Sequence, residues 1–154
     1  MKFYPISLNL KDKKVVIIGG GKIAERKIKG LVKCDAKITL VSPNLSRNLE
    51  TIIRKYKIKY FKKKYTSFII KNQFLIFACT SDNDVNEKIF NDAERLGVLV
   101  NVCDDTKKCR FIVPAVIRKK GIVISISTDG KRPALSKKFK EVLKNEFGNL
   151  WDKL

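Results

Sequence analysis

The chain has 154 residues with 44% apolar content, enough for one domain with a buried core and a small appendage. It carries 34 basic and 15 acidic residues, a net charge of +19, and no histidine, which excludes Ser-His and Cys-His nucleophile systems and histidine-based zinc sites. No apolar run approaches the roughly 18 residues a membrane-spanning helix needs, and the N-terminus lacks a signal peptide's apolar stretch, so a cytoplasmic location is expected.

Residues 15–18, Val-Val-Ile-Ile, read as a buried strand that runs directly into Gly19-Gly20-Gly21-Lys22-Ile23-Ala24. A strand, a Gly-x-Gly-x-x-Ala turn and an amphipathic helix, in that order, form the phosphate-binding opening of a dinucleotide fold. Gly19 permits the tight turn, Gly21 lets the backbone approach a pyrophosphate, and Ala24 lets the helix pack close to the sheet. The helix N-terminus then offers N–H groups and a positive dipole end to phosphates. Ala24, Ile28, Leu31 and Val32 fall on one helical face. Residues 37–41 form a second strand, closed by Ser42-Pro43-Asn44, and Leu45, Leu49, Ile52, Ile53 and Tyr56 make a second helical stripe. A short third strand is expected over 58–61 and a brief helix or turn around 66–70. Residues 74–79 are continuously apolar, as in a strand covered on both faces. Thr80-Ser81-Asp82 offers N-caps to a helix carrying Val85, Ile89, Ala93 and Leu96, with Gly97 as its stop and a fifth strand over 98–102.

Strands and helices alternating in this way imply a parallel sheet with right-handed crossovers. The predicted class is α/β, a Rossmann-like doubly wound sheet, with ligands bound beyond the carboxyl ends of the strands. Those ends are Gly19–Gly21, Ser42–Asn44, Thr80–Asn83 and Asn101–Asp105. Past residue 112 the rhythm changes. Residues 111–116 and 122–127 read as two hairpin strands separated by Arg118-Lys119-Lys120-Gly121. A loop at 129–133 leads to a helix whose face carries Leu135, Phe139, Val142, Leu143 and Phe147. Two strands and one helix are too few to close a core alone. The division expected is a dinucleotide-binding domain over 1–112 and a small α+β dimerisation segment over 113–154, packing on a second copy of itself.

The lysines are spread over every segment, with short clusters such as those at 62–64 and 137–138 and no aromatic-rich basic stripe. That distribution favours solvated faces over a nucleic-acid footprint. A third reading is a positive field that steers an anionic small substrate inward. Cys34, Cys79, Cys103 and Cys109 show no Cys-x-x-Cys spacing, and buried reduced thiols are preferred over a metal pair. Acid–base work falls to Asp, Glu, Lys, Tyr or Cys.

Read together, these motifs resemble the precorrin-2 dehydrogenase family, the N-terminal module of siroheme synthases, from about Tyr4 to Phe147. The glycine turn with Arg26-Lys27 matches, as do Ala78-Cys79-Thr80-Ser81-Asp82 and Val85-Asn86. More particular are Asn101-Val102-Cys103-Asp104-Asp105 before Phe111-Ile112-Val113-Pro114-Ala115, and Ser127-Thr128-Asp129-Gly130 before Pro133-Ala134-Leu135. The resemblance implies NAD-dependent oxidation of precorrin-2 to sirohydrochlorin on the way to siroheme, by a homodimer. Some members of the family also insert iron. The family's C-terminal helical region is largely absent before Leu154, which counts against that second activity.

The resemblance also assigns residues. Asp104 corresponds to the family's proposed catalytic aspartate, and Asp105 ranks second as a substrate contact. Gly19, Gly21, Lys22 and Ile23 would cradle the pyrophosphate of NAD, and Thr80, Asn101 and Val102 would line the nicotinamide end. Ser42, Pro43 and Asn44 stand where a ribose-binding acid is usual, and nearby Arg47 suits a 2′-phosphate. Thr128 would lie near an anionic tetrapyrrole, with Lys131 and Arg132 as carboxylate partners. No resident metal is expected. The competing readings are a bifunctional dehydrogenase and ferrochelatase, and a non-catalytic module that senses NAD or binds nucleic acid.

Overall fold

The structure, a computed structural model, describes residues 2–103 and 105–146. The chain divides into two compact units, Ile6–Phe111 and Met1–Pro5 with Ile112–Leu154.

The first unit alternates strand and helix. Its elements are β1 (Lys14–Ile18), α1 (Lys22–Leu31), β2 (Lys37–Val41), α2 (Arg47–Lys55), β3 (Lys59–Phe61), β4 (Leu75–Ala78), α3 (Asn83–Leu96) and β5 (Leu99–Val102). The strands form one sheet in the order β3-β2-β1-β4-β5, all neighbours parallel. The chain builds outward from β1 to β3, then restarts on the other side of β1. That makes the crevice between the ends of β1 and β4 the topological switch point, where such sheets bind ligands.

The apolar pattern explains the layers. All four residues of β4 are buried, as are four of the five in β1, because both faces of the central strands are covered. On one face, Val15, Ile17, Leu40 and Leu75 pack against Ala24 and Ile28 of α1 and Leu49 and Ile52 of α2. Fully burying a side chain such as Ile28 or Leu49 contributes about 1.5–3 kcal/mol. Helix α3 packs on β4 and β5 with Ile89 and Ala93 fully buried. Asp82 caps its start, accepting from Asp84 and Val85 N–H, and Gly97 ends it at φ 65°.

In the second unit, β6 (Ala115–Lys119) pairs antiparallel with β7 (Ile122–Ile126). The strand expected over 111–116 therefore starts later and runs through Arg118 and Lys119. The reason is the turn. Lys120 and Gly121 have φ of 47° and 82°, so two residues with positive φ close the hairpin and pull the preceding basic pair into the ladder. Phe111 instead stays in the first unit, its ring edge-on to Phe77 with centroids 5.4 Å apart. Helix α4 (Pro133–Glu146) begins with proline at its first position and packs on the hairpin, where Ile117 and Ser136 are buried. Phe139 and Val142 of its expected apolar face are exposed, and Phe147 lies outside the described residues. Among the described residues no helix is long and apolar enough to cross a membrane.

Candidate functional site

The glycine turn is built by close backbone approach. Gly19 has φ 119°, and its N–H donates to the Val41 carbonyl at 2.9 Å. A Cβ there would overlap the Cys79 carbonyl at the end of β4. A Cβ on Gly20 would overlap the Asn44 carbonyl, and the Gly20 carbonyl accepts from Ser46 N–H at 2.9 Å. Gly21 differs: a Cβ there meets no atom within 4 Å, so it faces open space. It is also the N-cap of α1 and supplies no side-chain cap. The first-turn N–H groups of Lys22 and Ile23 thus present an uncapped positive helix end beside a backbone that a phosphate can approach. These features fit a pyrophosphate.

Beyond β2, Ser42 is buried, and its Oγ donates to the Asn44 carbonyl at 2.7 Å. The Ser42 carbonyl accepts from Tyr60 Oη at 2.9 Å, and burial raises the Tyr60 phenol above its ordinary value. Pro43 and Asn44 are exposed, with no carboxylate among them, and Arg47 opens α2 immediately after the Ser46 cap.

Beyond β4, Thr80 is engaged with α3. Its Oγ1 lies 2.8 Å from Asn86 Oδ1, and Asn86 Nδ2 returns a bond to the Thr80 carbonyl at 3.1 Å. Cys79 Sγ lies 2.8 Å from Cys103 Sγ, joining the ends of β4 and β5.

Near the end of β5, the Asn101 side chain is buried and fully used. Oδ1 accepts from Lys27 Nζ at 3.2 Å, and Nδ2 donates to the Phe111 carbonyl at 3.0 Å. The same lysine lies over the Phe77 ring, 5.0 Å from its centroid. Asn101 is thus a staple between α1, β5 and the returning 109–111 segment. The Val102 carbonyl accepts from Asp105 N–H at 3.3 Å. Asp105 Oδ1 in turn caps the short turn Thr106–Lys108 by accepting from Lys107 N–H at 2.9 Å. Asp104 lies outside the described residues. Burial pushes the Cys109 thiol up, so it holds its proton. A hydrogen bond from Lys29, then one from Asn48, holds the Glu25 carboxyl below the ordinary range, so it stays ionised along α1. Neither group suits proton transfer near neutral pH.

Thr128, Lys131 and Arg132 belong to the second unit. Thr128 Oγ1 accepts from Arg132 N–H at 3.1 Å and lies 3.2 Å from the buried Ser136 hydroxyl, while Lys131 and Arg132 are exposed on the loop before α4. Among the described residues no cluster of three His, Cys, Asp or Glu side chains is placed to hold a metal.

The first unit therefore brings the glycine turn, Ser42–Asn44, Thr80, Asn101 and Val102 to one sheet edge. Gly20, Lys27 and Asn86, which stood in the matching motifs without an assigned role, and Tyr60 of the short strand β3 complete that edge. Fold and edge together define a dinucleotide-binding module of Rossmann type.

Comparison with known proteins narrows the class. Residues 6–115 match an NAD(P)-binding family. The siroheme synthase of Blochmanniella floridana is 39% identical over 145 residues, covering 94% of this chain and 32% of that protein. That of Buchnera aphidicola subsp. Acyrthosiphon pisum is 31% identical over 154 residues, covering 97% of this chain and 33% of that one. Among solved structures, SirC, a precorrin-2 dehydrogenase, superposes with a TM-score of 0.80 at 34% identity, covering 94% of this chain and 71% of SirC. The chain belongs to this NAD(P)-binding family and, within it, to the precorrin-2 dehydrogenases. It spans about a third of the length of the curated siroheme synthases it matches.

Proposed function

We propose that the chain is an NAD-dependent dehydrogenase that oxidises precorrin-2 to sirohydrochlorin in siroheme synthesis. The observation that carries this reading is the open cradle at Gly21, set on the same sheet edge as the Asn101–Asp105 loop. The likeness to SirC supports the substrate. When bound, NAD supplies the hydride acceptor. The chain supplies placement and proton handling. N–H groups of the first turn of α1 hold the pyrophosphate, and Ser42–Asn44 border the adenosine ribose. Asn101, pinned by Lys27 and the Phe111 carbonyl, fixes the strand end from which Asp104 follows. Asp104 takes the proton lost alongside the hydride. Asp105 holds the turn that follows, and Thr128, Lys131 and Arg132 meet substrate carboxylates, the two cations by opposite charge.

The second unit we assign to dimerisation. A hairpin with one helix leaves Val123, Phe139 and Val142 between 45% and 55% exposed, an apolar surface that a second copy would cover. A monomer by light scattering at micromolar concentration would sink that assignment.

The reaction is tested by mixing the protein anaerobically with precorrin-2 and NAD and following NADH and sirohydrochlorin absorbance. Turnover is expected, with Asp104→Asn slower by about 10²–10⁴-fold at unchanged NAD affinity, as for loss of a positioned base. Equal turnover in the variant would remove Asp104 from the chemistry. No turnover by an NAD-binding parent would remove the dehydrogenase reading.

A further inference from the structure

At the end of the sheet opposite the glycine turn, each of the first three strands opens with a lysine: Lys14 in β1, Lys37 in β2 and Lys59 in β3. Lys14 is in register with Lys37, and Lys59 with Thr39 two residues further along β2. Residues two apart on a strand share a face, as do in-register partners, so all three lysine stems leave the same face. Strands lie about 4.8 Å apart, so the three form a staggered row, with Lys14 beside Lys37 and Lys59 set two residues further along the strand direction. Phe61, two residues past Lys59, shares that face. Lys57, Lys63 and Lys71 join this row around a cavity of about 630 Å³.

No acidic residue lines the cavity among the described residues. Among the described residues Lys37 alone of these lysines reaches a carboxylate, Asp12 at 3.0 Å, an exposed pair worth little. Tyr56, Phe61 and Phe68 stand in the walls, with Phe68 75% exposed. The Lys59 and Lys63 ammoniums each lie 5.0 Å from the Phe61 ring centroid, and Lys71 lies 5.3 Å from that of Phe68. The buried Gln73 Oε1, in the same wall, has no hydrogen-bond partner among the described residues.

Six like charges around one concavity repel one another, and a polyanion relieves that repulsion. A small anion would leave the rings unused, and an acidic peptide has no flat face to stack on them. A duplex hides its base faces. Exposed aromatic faces interleaved with cations on a sheet are the arrangement that stacks unpaired bases while the cations track the phosphates. We infer that this groove binds single-stranded nucleic acid, with a base on the exposed Phe68 ring and phosphates on the lysines, two of which sit over Phe61. Lys57, Lys59, Lys63 and Lys71 and all three rings fall within residues 56–71, and sheet register brings Lys14 and Lys37 to them. The lysines that open the strands stand at the sheet end opposite the cofactor cradle, whereas Phe61 closes β3 beside Ser42, whose N–H donates to the Phe61 carbonyl at 3.2 Å.

The test is fluorescence anisotropy of labelled 12-nucleotide thymidine and uridine oligonucleotides with the full chain between about 50 and 300 mM salt. Affinity should fall with a log–log slope of about −2 to −4, as expected when three to six lysines each release about 0.7 counterion from a single strand. Phe68→Ala should weaken binding by about 5- to 100-fold. Lys59→Glu should flatten the salt slope by at least about 0.7. Both variants should keep the parent's melting temperature and NAD affinity. Absence of salt-sensitive binding would overturn the proposal, as would full affinity in both variants. Equal binding of a duplex of the same sequence would reduce the site to bare charge and overturn it too. Equal competition by polyglutamate would replace it with an acidic-protein surface.

Discussion

Lys27 Nζ and Asn101 Oδ1 lie 3.2 Å apart, tying the helix that follows the glycine turn to the strand that leads into Asp104. The bond couples the two halves of the sheet edge across β4, which lies between β1 and β5 in the sheet order. Removing Asn101 strands two groups at once, the Lys27 ammonium and the Phe111 carbonyl. Asn101→Ala should therefore cost about 1–3 kcal/mol in urea unfolding. With Lys27→Met, a double-mutant cycle should return a coupling of at least about 0.5 kcal/mol. Simple additivity would show that the bond is not made in solution.

The three glycines should separate stability from binding. Gly19→Ala forces a side chain to φ 119° and into the Cys79 carbonyl, and Gly20→Ala drives a methyl into the Asn44 carbonyl. Each should lower stability by at least about 1–3 kcal/mol. Gly21→Ala meets no protein atom and should melt like the parent. Its methyl would occupy the space a pyrophosphate needs, so calorimetry with NAD should show affinity lost by tenfold or more. An unchanged affinity would move the phosphates elsewhere.

Tyr60 is a positioning residue for the loop after β2. Its hydroxyl donates to the Ser42 carbonyl at 2.9 Å from a neighbouring strand. Tyr60→Phe keeps the ring and deletes one hydrogen bond, a cost of about 0.5–1.5 kcal/mol in stability. Part of that loss should appear as weaker binding of NAD relative to a fragment lacking adenosine, such as nicotinamide mononucleotide. If both ligands weaken equally, the effect is global.

Alkaline pH should destabilise the fold. Burial holds the Cys109 thiol above its ordinary 9.0, and burial with the Asp92 hydrogen bond holds the Tyr65 phenol well above its ordinary 10.0. Above those values the unfolded chain has released protons that the folded chain retains, so unfolding is favoured as pH rises. The stabilising contribution is complete below pH 9 and disappears progressively above it. Urea midpoints between pH 7 and 11 should show this decline. Tyr65→Phe should flatten its upper part, and an identical profile in the variant would remove Tyr65 as a cause.

Much of the first unit was legible because its signals are local. The buried run at 15–18, the capping Asp82 and the stop at Gly97 each specify structure within a few residues. The roles of Asn101 and Thr80 were not legible, because they depend on partners elsewhere in the chain. Lys27 is 74 positions from Asn101, and Asn86 reaches Thr80 only once α3 folds back on the strand end. The start of β6 was misplaced because apolar residues at 111–113 mimic a strand, whereas the conformation of Lys120-Gly121 sets the register. In the lysine groove, sheet register brings Lys14 and Lys37 beside the basic stretch at 56–71.

Where the chain leaves β2, its course is held by main-chain and serine bonds: Gly19 to Val41, Ser46 to Gly20, and the Ser42 hydroxyl to the Asn44 carbonyl. None of these uses the side chain of Asn44 or of Arg47. The shape of the shelf is therefore separable from the chemistry displayed on it. On the proposed function, exchange between NAD and NADP would need only side-chain changes at 43, 44 and 47, with no rebuilding of the backbone beneath.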